Sequence, residues 1–209
     1  MTQPTGATEG RLETIRVIGE HGLSRAAESL SHMLGSRVRL TLTDVWGPPP
    51  AALPALAENV ERRPAAALRV RIDGDGRGWV LIVLPMPAVY RVVQELLGTP
   101  VQPRDLTEID RSAVQEFGNV MVSSFLSELG DRLGRRLFPS PPELHLDDVR
   151  PLLRDLAVWA RALDSEVWVV QARLEVPARR IQGQVLVALD VGALAPMTRG
   201  ATGERGVRR

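Results

Sequence analysis

The stretch Gly78–Leu84, with the sequence GWVLIVL, recurs as Gly183–Leu189, with the sequence GQVLVAL. The two copies lie 183 − 78 = 105 residues apart, and each is an almost unbroken apolar run of the length expected for a buried β-strand. The first copy follows the turn sequence Asp73–Gly76 (DGDG), which is itself preceded by the alternating apolar residues of Leu68–Ile72. This arrangement predicts a β-hairpin, and the recurrence predicts that the hairpin occurs twice.

A long segment with apolar residues at helical spacing precedes each predicted hairpin. These segments are Glu13–Leu34 and Thr107–Leu133, and each is followed directly by a glycine, a common C-terminal stop of a helix. At an offset of 118 − 19 = 99 they share Gly19/Gly118, Ser24/Ser123, Leu30/Leu129, Leu34/Leu133, Gly35/Gly134 and Arg37/Arg136. We therefore expect two equivalent long helices, with a break or bend near Gly19 and Gly22 in the first.

The remaining patterns complete two units of the order helix, strand, strand, strand, helix. They predict a strand over Val38–Asp44, a helix over Ala88–Leu97, a strand from Leu137 into Pro139–Pro142, a helix over Pro151–Ala162, and strands over Val167–Val176 and Gln184–Leu189. The predicted fold class is α+β, in which the duplicated units form a six-stranded, mostly antiparallel sheet covered by helices about a pseudo-twofold axis. We expect one domain over residues 11–197, with pseudo-repeats 11–98 and 105–197, between a disordered N-terminus (1–10) and a disordered Arg-rich tail (198–209).

Composition excludes several classes of function. The formal net charge of the 209 residues is +1, which argues against a nucleic-acid-binding protein that relies on a strong basic field. Cysteine is absent, which excludes disulfides and thiol catalysis, and the histidines His21, His32 and His145 are too scattered to suggest a metal site. Apolar runs are too short to insert into a membrane, and Met1–Gly10 lacks the apolar core of a signal peptide, so we expect a cytoplasmic protein.

The second long helix carries a polar trio, Ser112, Glu116 and Asn119, at the spacing i, i+4, i+7. This spacing places all three on one helix face. The adjacent stripe, which we expect to be buried, contains Ile109, Ala113, Phe117, Val120 and Ser124. An Asn amide can orient a water molecule, and a Glu carboxylate can bind a cation or act as a base. Polar residues at this spacing are common, and the spacing alone favours an ordinary solvated helix face.

Longer segments around the trio resemble a known family. Ser112–Asn119 (SAVQEFGN) fits the Asp/Ser-x3-Glu-x2-Asn signature of the CheC/CheX/FliY family of chemotaxis phosphatases. Val120–Gly134 and Phe138–Pro142 (FPSPP) are also similar to CheC, and Ile18–Ser31 (IGEHGLSRAAESLS) resembles the corresponding segment of the first repeat. The resemblance covers roughly Leu12 to Pro196. The length and the repeat favour the CheC type over the shorter CheX type and over FliY, which has an additional C-terminal domain.

The resemblance implies hydrolysis of the aspartyl phosphate of a CheY-like response regulator. By this resemblance, Asn119 would align the attacking water, Glu116 would pair with a lysine of the partner, and Ser112 would support the helix start or a nearby contact. The chain would need no cofactor of its own, because the Mg²⁺ would be held by the response regulator. The alternative is a non-catalytic chemotaxis adaptor that binds the receptor deamidase CheD or the response regulator.

The first repeat departs from the signature. At the offset of 99, Ser112 corresponds to Glu13, Glu116 to Val17 and Asn119 to Glu20. Valine has no polar group, and an ionised glutamate cannot donate a hydrogen bond. We therefore expect a single functional site, on the second helix.

Overall fold

The computed structural model describes residues 6–47, 65–98, 105–163 and 166–190. Its helices are α1 (Gly6–Leu34), α2 (Met86–Leu97), α3 (Glu108–Leu133) and α4 (Arg150–Ala162). Its strands are β1 (Arg39–Trp46), β2 (Ala65–Gly74), β3 (Gly78–Pro85), β4 (Leu137–Pro139), β5 (Glu143–Asp147), β6 (Val167–Val176) and β7 (Ile181–Asp190). A 3₁₀ turn at Pro177–Arg179 joins the last two strands. The predicted tail 198–209 lies outside the described residues.

The strands form one sheet in the order β1-β6-β7-β3-β2-β4, and β5 also pairs with β2. All of the described pairings are antiparallel. Because β4 and β5 pair with successive parts of β2, they occupy one edge position, and the sheet has the six positions that the sequence predicted.

The register of the two central strands shows the pseudo-twofold axis. Leu81 of β3 pairs with Leu186 of β7, which is its own equivalent at the offset 186 − 81 = 105. The axis therefore passes between these two residues. The long helices obey the other predicted offset, since they end at Leu34 and Leu133, and 133 − 34 = 99. Gly35 and Gly134, which follow them, have φ angles of 56° and 60°.

Each half supplies the edge strand of the other half. β1 from the first half pairs with β6 from the second, whereas β4 and β5 from the second half pair with β2 from the first. Both edges are irregular, because the register of β1 shifts between Leu42 and Asp44 and a gap separates β4 from β5. The duplication therefore produces one interlocked domain.

Two apolar clusters lie on opposite faces of the sheet. The larger one joins α1, α2 and α3 to one face, and its most deeply buried members include Leu30, Val92 and Phe117. The smaller one joins α4 to the other face through Leu153 and Leu156. The two long helices also pack against each other, with Ser124 Oγ donating a hydrogen bond to Ser29 Oγ at 2.8 Å.

The predicted break in the first helix is wrong, because α1 runs without interruption through Gly19 and Gly22. A Cβ atom at Gly22 would lie 2.8 Å from the ring of Phe125, so this glycine permits close approach of α3 rather than a bend. The helix also begins at Gly6 rather than at Glu13. The sequence interpretation missed β5, whose alternating Leu144 and Leu146 were the available signal. None of the described helices is both long enough and apolar enough to span a membrane.

Candidate active site

Helix α3 begins with a reciprocal hydrogen-bonded cap. Thr107 Oγ1 accepts a hydrogen bond from the backbone N–H of Asp110 at 3.3 Å, and Asp110 Oδ2 accepts from the backbone N–H of Thr107 at 2.8 Å. Asp110 is only 3% exposed. Two of the unpaired donors at the helix start are satisfied in this way, which fixes the first turn.

The inner side of α3 is held closely against the sheet and α1. Phe117 is completely buried, and a Cβ at Gly118 would lie 2.6 Å from Leu68 Cδ1 of β2. The glycine therefore allows the helix axis to come close to the sheet. Phe117 and Gly118 lie between Glu116 and Asn119 in the chain. This turn of α3 therefore packs against the core on its inner side and carries polar side chains on its outer side.

The structure brings the predicted trio together on the outer side of α3. Ser112 and Glu116 are exposed, and Asn119 is half-buried. At a rise of 1.5 Å per residue, Ser112 lies about 6 Å from Glu116 along the axis, and Glu116 lies about 4.5 Å from Asn119. We call this surface the α3 stripe. Its side chains are accessible to a macromolecular partner and are carried by a well-packed helix.

One member of the predicted buried stripe is wrongly placed. Ile109 is 68% exposed, whereas Ala113 and Phe117 are buried as expected. The next residue, Asp110, takes the buried position because its carboxylate closes the helix cap. Ile109 therefore lies at the start of the outer side of the helix.

Two side chains that the sequence interpretation did not assign support the α3 stripe. Ser123 Oγ donates a long hydrogen bond of 3.5 Å to Asn119 Oδ1, so this contact engages the acceptor atom of the amide and not its Nδ2 donors. Gln115 Nε2 donates to the carbonyl of Pro142 at 2.8 Å and so ties α3 to the gap between β4 and β5. The signal for Ser123 was its position one turn after Asn119.

The α3 stripe offers an amide, a carboxylate and a hydroxyl, but no nucleophile activated by a neighbouring base. In the described ranges no group of three or more His, Asp or Glu side chains is arranged to hold a metal ion. The geometry therefore suits binding to a partner and orientation of a small molecule at the partner's surface.

The equivalent positions of α1 are also at the surface but differ in chemistry. Glu13, Val17 and Glu20 are all exposed, with 42% of Val17 accessible. Both helices therefore present this face outward, as the pseudo-twofold axis requires. The face on α1 has no amide and has an apolar side chain in place of the central carboxylate.

Comparison with known proteins gives a consistent result at the level of sequence. Residues 109–146, which contain the α3 stripe, match the CheC-like family. The chain is 28% identical over 150 residues to the CheY-P phosphatase CheC of Bacillus subtilis, covering 68% of this chain and 69% of that protein. It is 23% identical over 192 residues to the putative CheY-P phosphatase CheC1 of Halobacterium salinarum, covering 90% of this chain and 94% of that protein.

Solved structures show the same fold. FliY of Thermotoga maritima superposes with a TM-score of 0.68 at 20% identity, covering 95% of this chain and 97% of that one. A chain from the CheX–CheY–BeF₃–Mg²⁺ complex of Borrelia burgdorferi superposes with a TM-score of 0.52 at 17% identity, covering 81% of this chain and 96% of that one. At these identities the structural matches establish the architecture.

Proposed function

We propose that this chain, which matches the CheC-like family over residues 109–146, hydrolyses the aspartyl phosphate of a CheY-like response regulator through the α3 stripe. The observation that carries this proposal is the position of Glu116 and Asn119 on the outer side of α3. In the chain they flank Phe117 and Gly118, which hold the inner side of the same turn against the sheet. The relative from Bacillus subtilis is named for this activity, and it covers 68% of this chain.

In this proposal the chain acts by inserting groups into the regulator's own site. An aspartyl phosphate is hydrolysed by in-line attack of water, and the protein's contribution is largely positioning and charge stabilisation. Asn119 would orient the attacking water, because an amide can both donate and accept hydrogen bonds. The Mg²⁺ that offsets phosphoryl charge would belong to the regulator.

The other two members of the trio would act in recognition. Glu116 is exposed and can form an ion pair with a lysine of the regulator, which would place the amide next to the phosphoryl group. Ser112, one turn closer to the helix start, would contact the partner or support that turn. Ser123 would hold the amide of Asn119 by the long hydrogen bond at its Oδ1 atom.

A non-catalytic adaptor is the second candidate, and the state of α1 favours it. Its exposed face has Val17 in place of the carboxylate and Glu20 in place of the amide, so one of the two equivalent surfaces does not carry the signature. A protein without hydrolytic activity could still bind the response regulator or CheD. The intact trio on α3 favours the enzyme.

Release of inorganic phosphate from phosphorylated regulator separates the two candidates. With Mg²⁺ present, a phosphatase should raise the rate of release above that of the regulator alone and should turn over many regulator molecules. An adaptor should bind the regulator without raising the rate, and that result would contradict the proposed activity.

A further inference from the structure

Ile109 is the most exposed large apolar side chain among the described residues, at 68%. Single exposed apolar residues are common, so exposure alone carries no conclusion. Its direction is more informative. Ile109 precedes Glu116 by seven residues, and an α-helix drifts by only about 20° over seven residues, so the two side chains leave α3 in nearly the same direction.

The distances fit a single partner surface. Ile109 lies about 10 Å from Glu116 and about 15 Å from Asn119 along the helix axis. A globular partner whose active site received Asn119 would extend well beyond this distance, so it is large enough to cover the first turn of α3 as well. Ile109 therefore continues the α3 stripe at its N-terminal end.

The first turn is also rigid. Ile109 sits inside the cap formed by Thr107 and Asp110, whose carboxylate Oδ2 accepts hydrogen bonds at 2.8 Å from both the backbone N–H and the Oγ1 of Thr107. An apolar side chain on a fixed backbone loses little conformational freedom when it is covered by a partner. Preorganisation of this kind raises affinity by lowering the ordering cost of binding.

The first repeat provides an internal comparison. At the offset of 99 the equivalent of Ile109 is Gly10, which has no side chain and has open space around it. The apolar residue is therefore present only on the helix that also carries the glutamate and the asparagine.

We infer that Ile109 is the apolar anchor of the interface with the phosphorylated response regulator. It contacts the regulator about 15 Å along the helix axis from Asn119, and it sets affinity rather than chemistry. This inference rests on the proposed function, since the occupant is the same regulator. Glu116 and Asn119 contact the phosphorylation site of the regulator. Ile109 supplies the apolar contact that these polar groups cannot make.

The test measures binding separately from turnover. The probe is the CheY of the source organism activated with BeF₃⁻ and Mg²⁺, which cannot be hydrolysed. Ile109→Ala should weaken binding by about tenfold or more, and Ile109→Leu should retain most of the affinity. With phosphorylated regulator, Ile109→Ala should raise KM while kcat at saturation stays within about twofold. Alanine favours helix more than isoleucine does, so the helix is preserved.

Val158→Ala is the matched control, because Val158 is also β-branched, is 66% exposed and lies on α4 across the sheet. It should bind the regulator like the wild type. If Ile109→Ala binds within twofold of the wild type, or if Val158→Ala loses as much affinity, the inference is overturned. Binding by the wild type without phosphate release would overturn only the proposed catalysis, and no binding by the wild type would overturn both.

Discussion

At the scale of single residues, the two long helices differ in the groups they present at equivalent exposed positions. Asn119 on α3 has an amide where Glu20 on α1 has a carboxylate, and Glu116 has a carboxylate where Val17 has an isopropyl group. Both faces are accessible, so accessibility does not distinguish them. The proposal of a site on α3 therefore rests on the chemistry of these side chains.

Paired substitutions of Glu116 and Glu20 test this assignment. Glu116→Ala should weaken binding of the activated regulator severalfold and lower kcat/KM, because it deletes the carboxylate that we propose forms a charged contact with the partner. Glu20→Ala removes a carboxylate from the equivalent face of α1 and should leave turnover within about twofold of the wild type. A tenfold loss for Glu20→Ala in a phosphate-release assay would show that the first repeat contributes to the activity.

Ile109 shows where residue-level prediction reached its limit. Apolar residues at 109, 113 and 117 fit a four-residue spacing, and that spacing predicted a buried position for Ile109. Because the carboxylate of Asp110 closes the helix cap, Asp110 is the buried residue at the helix start. The buried position therefore lies one residue later than the spacing predicted. Spacing could not reveal this, since it treats a charged residue as a surface residue.

At the scale of elements, glycines set how closely the long helices pack. Gly22 of α1 faces the ring of Phe125, and an added Cβ atom would lie 2.8 Å from that ring. The backbone of α1 at Gly22 therefore packs directly against an aromatic side chain of α3. The sequence interpretation took this glycine for a helix break, because a glycine within a helical pattern lowers helix propensity. Its packing role depends on a partner 103 residues away (125 − 22 = 103), which no local pattern contains.

Gly22→Ala should therefore destabilise the protein by about 1–3 kcal/mol, the usual cost of forcing an extra methyl group into a packed contact. Gly10→Ala is the control within the same helix, because nothing lies within 4 Å of its added Cβ. That change should stabilise the fold by up to about 1 kcal/mol through helix propensity. Urea unfolding of both variants gives the comparison, and equal stability of the two would contradict the close contact.

The start of α4 gives a prediction about pH. The pKa of Asp148 is lowered to about 2, because the Arg150 guanidinium and then its backbone N–H hydrogen-bond the carboxylate. A lowered pKa stabilises the fold above the ordinary value of 3.8, and this contribution is lost as the pH falls toward 2. Carboxyl NMR titration should show a midpoint near 2 for Asp148, and Arg150→Ala should move it toward 3.8. A wild-type midpoint at the ordinary value would contradict the contact.

At the scale of the whole molecule, duplication accounts for the architecture and for the equivalent outer faces of the two long helices. The offsets of 118 − 19 = 99 and 183 − 78 = 105 were readable from the sequence, and the register between Leu81 and Leu186 agrees with the second. The exchange of edge strands was not readable, because side-chain periodicity predicts strands but not which strands pair. The exchange ties the two halves together into one domain.

The most direct test of the central claim compares turnover by the wild type and by Asn119→Ala, with phosphorylated regulator and Mg²⁺ at saturating concentrations. If Asn119 orients the attacking water, kcat should fall by about a hundredfold or more. Affinity for the BeF₃⁻-activated regulator should change much less, because the amide acts mainly on the transition state. An Asn119→Ala protein that releases phosphate as fast as the wild type would contradict the account and leave the α3 stripe as a binding surface.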